Sequence, residues 1–330
     1  MPCRFFTLGL TALAMGIVTP ALVGAQTTSS SASGIPRTAW GAPDLQGVWD
    51  FRSLTPMERP LELAEQDVFT AEQAAEFAAE QIGSRSRDND TSGRVVPYND
   101  FWFDEGTVVT TDRTSLIIDP PNGRVPAMTG AATQAKNALT VAREGVSSHE
   151  PIPGGFVEDL GPGGLQVRCI LGFNSGPPMA PSAYNNNVQV FQNEDTVVLL
   201  AEMNHNARIV PLDGPDHVDA SIPQWTGDAR GHWEGDTLVV ETTNFLRETN
   251  FMQGATGPHL TLVERFTRID ADTLEYEATL EDPTVWVQPW TFSVPMKKNP
   301  QPVYEYACHE GNYGLYNILA GAATQSAEQE

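Results

Sequence analysis

The stretch Leu274-Glu275-Tyr276-Glu277-Ala278-Thr279-Leu280-Glu281 decides the fold class. Apolar residues occupy every second position, and a glutamate or a threonine occupies each position between them. Successive side chains of a β-strand point to opposite faces of the sheet, so this pattern predicts a strand with one dry face and one wet face. Such half-buried strands are typical of antiparallel sheets.

Further strands are predicted on both sides of this stretch. Turn residues at 193–195, 234–236 and 270–272 separate the apolar segments, and two earlier strands are predicted at Gly47-Val48-Trp49 and at 114–119. A series of short strands joined by turns predicts an antiparallel meander, which forms either a closed barrel or a two-sheet sandwich. The predicted strands of the meander cover residues 188–191, 196–203, 232–233, 237–243, 260–269, 274–280 and 286–296.

A few added helices are expected in the N-terminal half. Thr70-Ala71-Glu72-Gln73 has the spacing of a capping box and predicts a helix that continues to Gln81. A second helix is predicted at 130–143, and many Gly and Pro residues indicate a long loop at 145–181. We therefore expect one domain over residues 41–330, with helical insertions at about 65–145.

The charge balance excludes two classes of partner. The chain has 19 Lys and Arg against 42 Asp and Glu, which gives a formal net charge of -23. Nucleic acids and anionic lipids both attract basic surfaces, so neither is an expected partner. The hydrophobic fraction of 40% is sufficient for a packed core.

The N-terminus has the features of a secretory signal peptide over residues 1–25. Arg4 precedes an apolar stretch at 5–18, and Val23-Gly24-Ala25 offers a small-residue cleavage site before Gln26. A membrane anchor is the alternative, but the apolar run is short and is interrupted by Gly and Pro. We expect a periplasmic or secreted protein that has no membrane insertion after cleavage and begins with a flexible tether at 26–40.

Removal of the signal peptide leaves two cysteines, Cys169 and Cys308. In an oxidising compartment an isolated pair most simply forms one disulfide, which here closes a loop of 308 − 169 = 139 residues. A catalytic thiol is the alternative, but free thiols would oxidise after export. We therefore predict a Cys169–Cys308 disulfide.

Five motifs lie along the chain at residues 44–49, Tyr184-Asn185-Asn186-Asn187, residues 232–240, residues 286–290 and residues 304–313, the last of which includes Cys308-His309-Glu310-Gly311-Asn312. Together they resemble a large family of secreted, mostly uncharacterised bacterial proteins. The resemblance covers nearly the whole mature chain and brings no established catalytic residues. The Gly-Trp strand followed by a meander is also similar to the lipocalin (calycin) barrels. That similarity implies an up-and-down β-barrel with a cup-shaped ligand cavity, to which the helices are additions.

Glu264 is a candidate catalytic residue because it shares a predicted strand face with Leu260, Leu262 and Phe266. A carboxylate among apolar side chains either meets a partner or is kept protonated, and the second case suits a general acid or base. The structural alternative is an ion pair with Arg230 or Arg265.

The densest polar cluster, Glu202-Met203-Asn204-His205-Asn206-Ala207-Arg208, lies inside a predicted apolar strand. Strict alternation places Glu202, Asn204 and Arg208 on one face and His205 on the other, unless a bulge near Asn204 redirects one of them. His205 is the first candidate for acid–base chemistry, because imidazole is suited to proton transfer at ambient pH. The alternative is a hydrogen-bonded core histidine.

Other polar and aromatic residues are candidates for substrate contact. Asp228 and Arg230 are two residues apart and can share a face, as a substrate clamp or as a salt bridge that stabilises a loop. Tyr184 and Asn186 would orient a polar group, or else form an Asx-turn before the next strand. Five aromatic residues would line an apolar cavity or pack in the core, namely Phe101, Trp102, Phe103, Trp286 and Trp290. Of these, Trp290 is predicted to contact substrate.

A metal site is not expected. His205, His232 and His309 would be its ligands, but no two histidines of the chain have a ligand spacing such as His-x-His or His-x-x-x-His. The sequence also contains no Gly-rich phosphate loop, nucleotide fingerprint or Gly-x-Ser-x-Gly motif. We therefore expect no cofactor.

Two classes of function follow from these residues. The first is an enzyme that performs cofactor-independent acid–base chemistry on a small, largely apolar molecule in a barrel cavity, as an isomerase, lyase or hydrolase. His205, Glu264 and Tyr184 would be catalytic, and substrate contacts would come from Asn186, Glu202, Asn204, Arg208, Asp228, Arg230 and Trp290. The second is a carrier that binds a small hydrophobic ligand without chemistry. A surface interaction domain, with the cavity filled by side chains, is a third possibility.

Overall fold

A computed structural model of the chain describes residues 34–86, 99–146, 164–247, 249 and 257–329. The predicted signal peptide, and the predicted tether up to residue 33, lie outside the described residues. Later in the tether, Arg37 forms an ion pair with Asp236 at 2.6 Å. No helix of the described part of the chain has the length and apolar character needed to cross a membrane.

Ten strands form one antiparallel sheet. Neighbouring strands in the sheet follow the order β5-β4-β3-β1-β10-β9-β8-β7-β6, and β2 also pairs with β10. The mainly β, antiparallel fold class is therefore confirmed. The strands are β1 (Gly47–Asp50), β2 (Ile117–Asp119), β3 (Asn187–Gln192), β4 (Thr196–Ala201), β5 (Ala207–Pro211), β6 (Asp228–Glu234), β7 (Thr237–Thr243), β8 (Thr261–Arg268), β9 (Thr273–Glu281) and β10 (Trp290–Asn299).

The alternating stretch that predicted the fold class is the centre of the sheet. In β9, Tyr276 lies opposite Phe266 of β8 and Val294 of β10 in the strand register. These three side chains are fully buried, while the intervening glutamates Glu275 and Glu277 are half-buried on the other face. Alternation along the strand thus supplies the apolar face that the core requires.

The sheet is not closed, so the predicted barrel is not confirmed. The edge strands β5 and β6 meet at an isolated parallel bridge between Leu212 and Gly231, and the Asp213 N–H donates to the Gly231 carbonyl at 2.9 Å. A Cβ on Gly231 would lie only 2.8 Å from side-chain atoms of Leu212 and Val210. Glycine at this position therefore lets the two edges approach each other without a hydrogen-bonded ladder between them.

The core lies on the inner face of the sheet. Trp49, Trp290 and Phe292 are fully buried there, and the Trp49 Nε1 donates to the Leu45 carbonyl at 2.8 Å. Trp286 is also buried, with its ring centroid 5.5 Å from that of Trp290. The aromatic residues that were predicted as cavity lining therefore separate into two groups, because Phe101 and Trp102 are 82% and 57% exposed.

Both predicted helices form, and two more are present. Helix α1 (Ala71–Arg85) begins with the predicted capping box, in which the Thr70 hydroxyl accepts from the Gln73 N–H and the Gln73 side chain accepts from the Thr70 N–H. Helix α2 (Gly130–Ala142) is followed by the short helix α3 (Gly164–Val167) and by α4 (Tyr313–Gln329). Helix α4 was not predicted, although the Asn312 side chain accepts from the Leu315 N–H, as a capping residue does.

The polar cluster at 202–208 was predicted to lie inside one strand. This prediction is wrong, because a turn interrupts the cluster. Strand β4 ends at Ala201, and a 3-10 turn over Met203–His205 leads into β5. Asn204 and His205 have φ angles of 58° and 47°, which no extended strand can contain. The turn therefore replaces the strict alternation that assigned these side chains to two faces.

Candidate functional site

A buried polar cluster lies on the inner face of the sheet. Arg208 of β5 donates to both carboxylate oxygens of Glu264 in β8, at 3.1 Å from Nη1 to Oε1 and 2.5 Å from Nη2 to Oε2. Nη2 also donates to the Thr242 hydroxyl at 3.1 Å. The Tyr276 hydroxyl donates to Glu264 Oε1 at 2.9 Å and accepts from the Met179 N–H at 3.0 Å. Residues of four strands and of the loop around Met179 therefore form one hydrogen-bonded cluster around the Glu264 carboxylate.

This cluster is removed from solvent. Glu264 and Tyr276 are fully buried, and the Arg208 side chain is 5% exposed. Burial, together with the charge of Glu264, raises the pKa of the Tyr276 phenol well above its ordinary value, so the phenol remains a hydrogen-bond donor at neutral pH. Both oxygens of Glu264 are already engaged, so in this arrangement the carboxylate holds Arg208 and Tyr276 in place.

The partner of Glu264 differs from both partners that the sequence suggested. Arg230 forms its ion pair with Asp228 at 2.8 Å, and Arg265 pairs with Glu234 at 2.8 Å. Arg230 and Arg265 occupy outward-facing positions of β6 and β8. Arg208, by contrast, lies on the edge strand β5, and its side chain is buried on the inner face of the sheet. The Arg208 Nε is buried and has no hydrogen-bond partner among the described residues.

His205 lies in the turn at one end of the sheet and is exposed. Its Nε2 accepts a hydrogen bond from the Tyr306 backbone N–H at 2.9 Å. A backbone N–H can only donate, so this Nε2 must be unprotonated, which places the proton of the neutral ring on Nδ1. His205 is therefore not a core histidine, and it presents an Nδ1–H donor in this arrangement.

Left-handed backbone is concentrated around this turn. Asn204 and His205 lie in the turn itself. Asn185, with φ of 57°, lies just before β3. It is close to the turn because Val188 of β3 pairs with Ala201 at the end of β4. Non-glycine residues with positive φ are uncommon, and such strain accumulates where a site holds its side chains in fixed positions. Both amide atoms of Asn204 are buried without a hydrogen-bond partner among the described residues.

The other predicted contact residues of this region have defined roles. The Glu202 carboxylate accepts from Asn187 Nδ2 at 2.8 Å. The Asn186 side chain is fully engaged, because its Oδ1 accepts from the Ser182 N–H and its Nδ2 donates to the Asp104 carbonyl. In this arrangement Asn186 fixes the loop before β3. Its contact with a ligand stays a prediction.

Tyr184 belongs to an aromatic group beside that loop. Its ring packs edge-on against Phe173, with ring centroids 4.9 Å apart, and against Phe103, with centroids 6.3 Å apart. The Phe173 side chain is 49% exposed. Tyr184 itself is half-buried and lies beside this exposed ring, whereas Trp290 is buried in the core.

The predicted disulfide is present. Cys169 and Cys308 are joined with a Cα–Cα distance of 5.8 Å. The bond holds the C-terminal segment against the loop that follows α3, where Asn312 Nδ2 also donates to the Val167 carbonyl at 2.7 Å. Tyr306, which contacts His205, is two residues from Cys308, so the disulfide positions the backbone that fixes the His205 ring.

Asp228 forms a salt bridge with Arg230 and also contacts His217, which was not among the predicted site residues. His217 Nδ1 lies 2.9 Å from Asp228 Oδ2, and its Nε2 lies 3.3 Å from Glu241 Oε1. Burial alone would raise the pKa of Asp228, but hydrogen bonds from Val218, His217 and Arg230 lower it on balance. His217 lies in the irregular segment before β6, where no periodic pattern could indicate its partners.

Two of the three histidines of the alternative metal site have separate partners. His205 contacts Tyr306, His232 Nε2 lies 3.2 Å from Glu234 Oε1, and His309 is exposed. Within the described ranges, no three His, Cys, Asp or Glu side chains are grouped so that they could hold a metal ion.

Comparison of the chain with protein-family models, with curated proteins and with solved structures gives no match. The resemblances to secreted bacterial proteins and to lipocalins therefore remain predictions from the sequence.

Proposed function

We propose that this chain is a periplasmic or secreted enzyme that performs cofactor-independent acid–base chemistry on a small, largely apolar molecule. The proposal places the substrate at the end of the sheet where His205 lies, with the sheet serving as a lipocalin-like cup whose edges meet near Gly231. The observation that supports it is the exposed His205 ring, held in left-handed backbone with Nε2 occupied by the Tyr306 N–H.

The hydrogen bond to Tyr306 assigns a role to each ring nitrogen. With Nε2 occupied, the Nδ1–H is a neutral donor that can polarise a substrate carbonyl, as preorganised donors do when charge develops on oxygen. Release of the Tyr306 N–H would make Nε2 available as a base. An isomerase, lyase or hydrolase can use these two states of one imidazole.

Other residues support this chemistry in the proposal. Asn204 and Tyr184 orient the substrate, since the Asn204 amide lacks a partner among the described residues and the half-buried Tyr184 packs beside the exposed Phe173 ring. Glu264 becomes a positioning residue for Arg208 and Tyr276, because both its oxygens are engaged. It would act as an acid or base only after Arg208 or Tyr276 moved away.

The test compares the wild type with His205→Ala and with the matched control His232→Ala. Each protein is incubated with a mixture of small apolar esters, lactones and unsaturated ketones, and consumption is followed by mass spectrometry. We expect consumption by the wild type and by His232→Ala, and none by His205→Ala at an unchanged melting temperature. Equal consumption by His205→Ala, or none by the wild type, would overturn the proposal.

A non-catalytic carrier is the second candidate. The engagement of both Glu264 oxygens favours it, because the apolar interior then presents no unoccupied carboxylate. A carrier would retain an apolar ligand through purification, and native mass spectrometry would detect that ligand equally in the wild type and in His205→Ala. Loss of the ligand in the variant would contradict the carrier function.

A further inference from the structure

Helix α2 is fixed to the rest of the chain at its first turn. The Thr129 hydroxyl accepts from the Ala132 N–H at 3.1 Å and donates to the Thr284 carbonyl at 2.8 Å, and the Thr129 N–H donates to the Val285 carbonyl at 2.8 Å. Met128 also forms a β-bridge with the buried Trp286. No residue of the helix itself is buried.

A groove of about 1220 Å³ runs between this helix and the turn at residues 284–285. Its lining is mainly apolar and includes three alanines of the helix, with Met128, Leu139, Val141 and Val285. Leu139 and Val141 are 54% and 71% exposed. The volume exceeds the roughly 300–1,000 Å³ that is common for small-molecule sites, so an extended ligand fits.

Helix α2 exposes apolar side chains to water, and a bound group that covers them would be favourable. A helix of 13 residues is too short to be stable alone in water, and most helices in proteins are stabilised by packing of an apolar face. Here the packing that the described residues supply is confined to the first turn. A ligand that covers Leu139 and Val141 would therefore stabilise the helix as well as bury its own apolar surface.

The charges in the groove indicate the head group of such a ligand. Lys136 and Arg143 contribute two positive charges to the lining and Glu144 one negative charge, although acidic residues outnumber basic ones 42 to 19 in the whole chain. Lys136 is one of three lysines, the others being 297 and 298. Within the described residues the Lys136 ammonium forms no ion pair, so it can meet an anion without breaking another contact.

We propose that this groove binds a free long-chain monocarboxylate, with the chain along Leu139 and Val285 and the carboxylate at Lys136. Charge complementarity selects the carboxylate, and the apolar lining selects the chain. The site is separate from proton transfer at His205, so either proposal can fail alone.

The test measures binding of dodecanoate and of uncharged dodecanol to the protein purified from the periplasm, below the concentration at which dodecanoate forms micelles. We expect dodecanoate to bind at least fivefold more tightly than dodecanol. Lys136→Glu should weaken dodecanoate binding about tenfold and leave dodecanol binding unchanged. Leu139→Asp should weaken binding of both ligands, and the matched control Lys298→Glu should weaken neither.

Several outcomes would overturn the proposal. They are no binding of dodecanoate to the wild type, equal binding by Lys136→Glu, or equal binding of the two ligands. Sedimentation with vesicles of an anionic phospholipid, lost in Lys136→Glu, would make the groove a membrane contact instead. A dimer that becomes a monomer in Leu139→Asp would assign the groove to a second copy of the chain.

Discussion

The Arg208 guanidinium and the Glu264 carboxylate form a two-point ion pair across the inner face of the sheet, with 2.5 Å between Nη2 and Oε2. Arg208 comes from edge strand β5, and Glu264 comes from β8, two strands in from the opposite edge. The pair thus links the edge strand β5 to a strand near the opposite edge of a sheet that no continuous ladder of backbone hydrogen bonds closes. Removal of two charges from water is costly, and the attraction between them offsets that cost only where the geometry is good and the pair accepts or donates further hydrogen bonds.

Breaking the ion pair should destabilise the fold more than replacing both partners. Arg208→Leu leaves the Glu264 carboxylate buried without its cation, and we expect a loss of about 3–5 kcal/mol in the free energy of unfolding. The double variant Arg208→Leu/Glu264→Leu should lose much less, because no buried charge remains. Urea unfolding checks both values. A single variant as stable as the double variant would show that the pair has no such role.

Tyr276→Phe should destabilise the fold by about 1–3 kcal/mol, because the Met179 N–H loses its buried acceptor and Glu264 loses a donor. The effect should also depend on pH. The raised pKa of Tyr276 means that the folded state retains the proton, so this stability is present below the ordinary tyrosine pKa of about 10 and is lost as the pH rises above it.

Measurements of the free energy of unfolding at alkaline pH distinguish the contribution of Tyr276 from that of the other tyrosines. The wild type should lose stability above about pH 10 more steeply than Tyr276→Phe. The exposed Tyr316 provides the control, since Tyr316→Phe should follow the wild type. Identical slopes for the wild type and Tyr276→Phe would contradict the buried, protonated phenol.

Asp228 should contribute stability that is lost in acid. Its lowered pKa means that the folded state favours the carboxylate, so the contribution is present above the ordinary aspartate pKa of about 4 and is lost as the pH falls through the lower folded value. Relative to the wild type, Asp228→Asn should be less stable at neutral pH, with the difference shrinking below about pH 4. Asp216→Asn, at an exposed position, is the control. A difference independent of pH would refute the carboxylate's role.

The neutral His205 ring should carry its proton on Nδ1, because Nε2 accepts from the Tyr306 N–H. Nitrogen NMR of the imidazole rings distinguishes the two tautomers directly. In His205→Ala the Tyr306 amide should exchange its hydrogen faster, since it loses its acceptor. An Nε2-protonated ring, or unchanged exchange at Tyr306, would show that this hydrogen bond is not maintained in solution.

Reduction of the Cys169–Cys308 disulfide should destabilise the fold. Closure of a 139-residue loop is worth about 4–5 kcal/mol in the chain-entropy treatment. The melting temperature should fall on addition of dithiothreitol and should not respond to it in Cys169→Ser/Cys308→Ser. The same treatment should speed hydrogen exchange at Tyr306, because the bond holds that segment near His205. A wild type that is indifferent to reductant would exclude a stabilising disulfide.

Much of the architecture could be predicted because the signals are local. The alternation of Leu274, Tyr276 and Ala278 predicted a half-buried strand, and the burial of β9 follows it. The spacing of Thr70 and Gln73 predicted the start of α1. Strict alternation failed at Asn204 and His205, because two residues in left-handed backbone end the strand and no periodic pattern marks such a turn.

The sequence by itself determined the mainly antiparallel β fold, the capped helix and the pairing of Cys169 with Cys308. Each of these depends on neighbouring residues, or on the two cysteines that lie outside the predicted signal peptide. The tertiary structure decided that Glu264 meets Arg208, that His217 meets Asp228, and that Tyr306 holds His205. Arg208 and Glu264 are 56 residues apart, and His205 and Tyr306 are 101 apart. Such contacts depend on how the strands register and how far the sheet curves, and no local pattern encodes either.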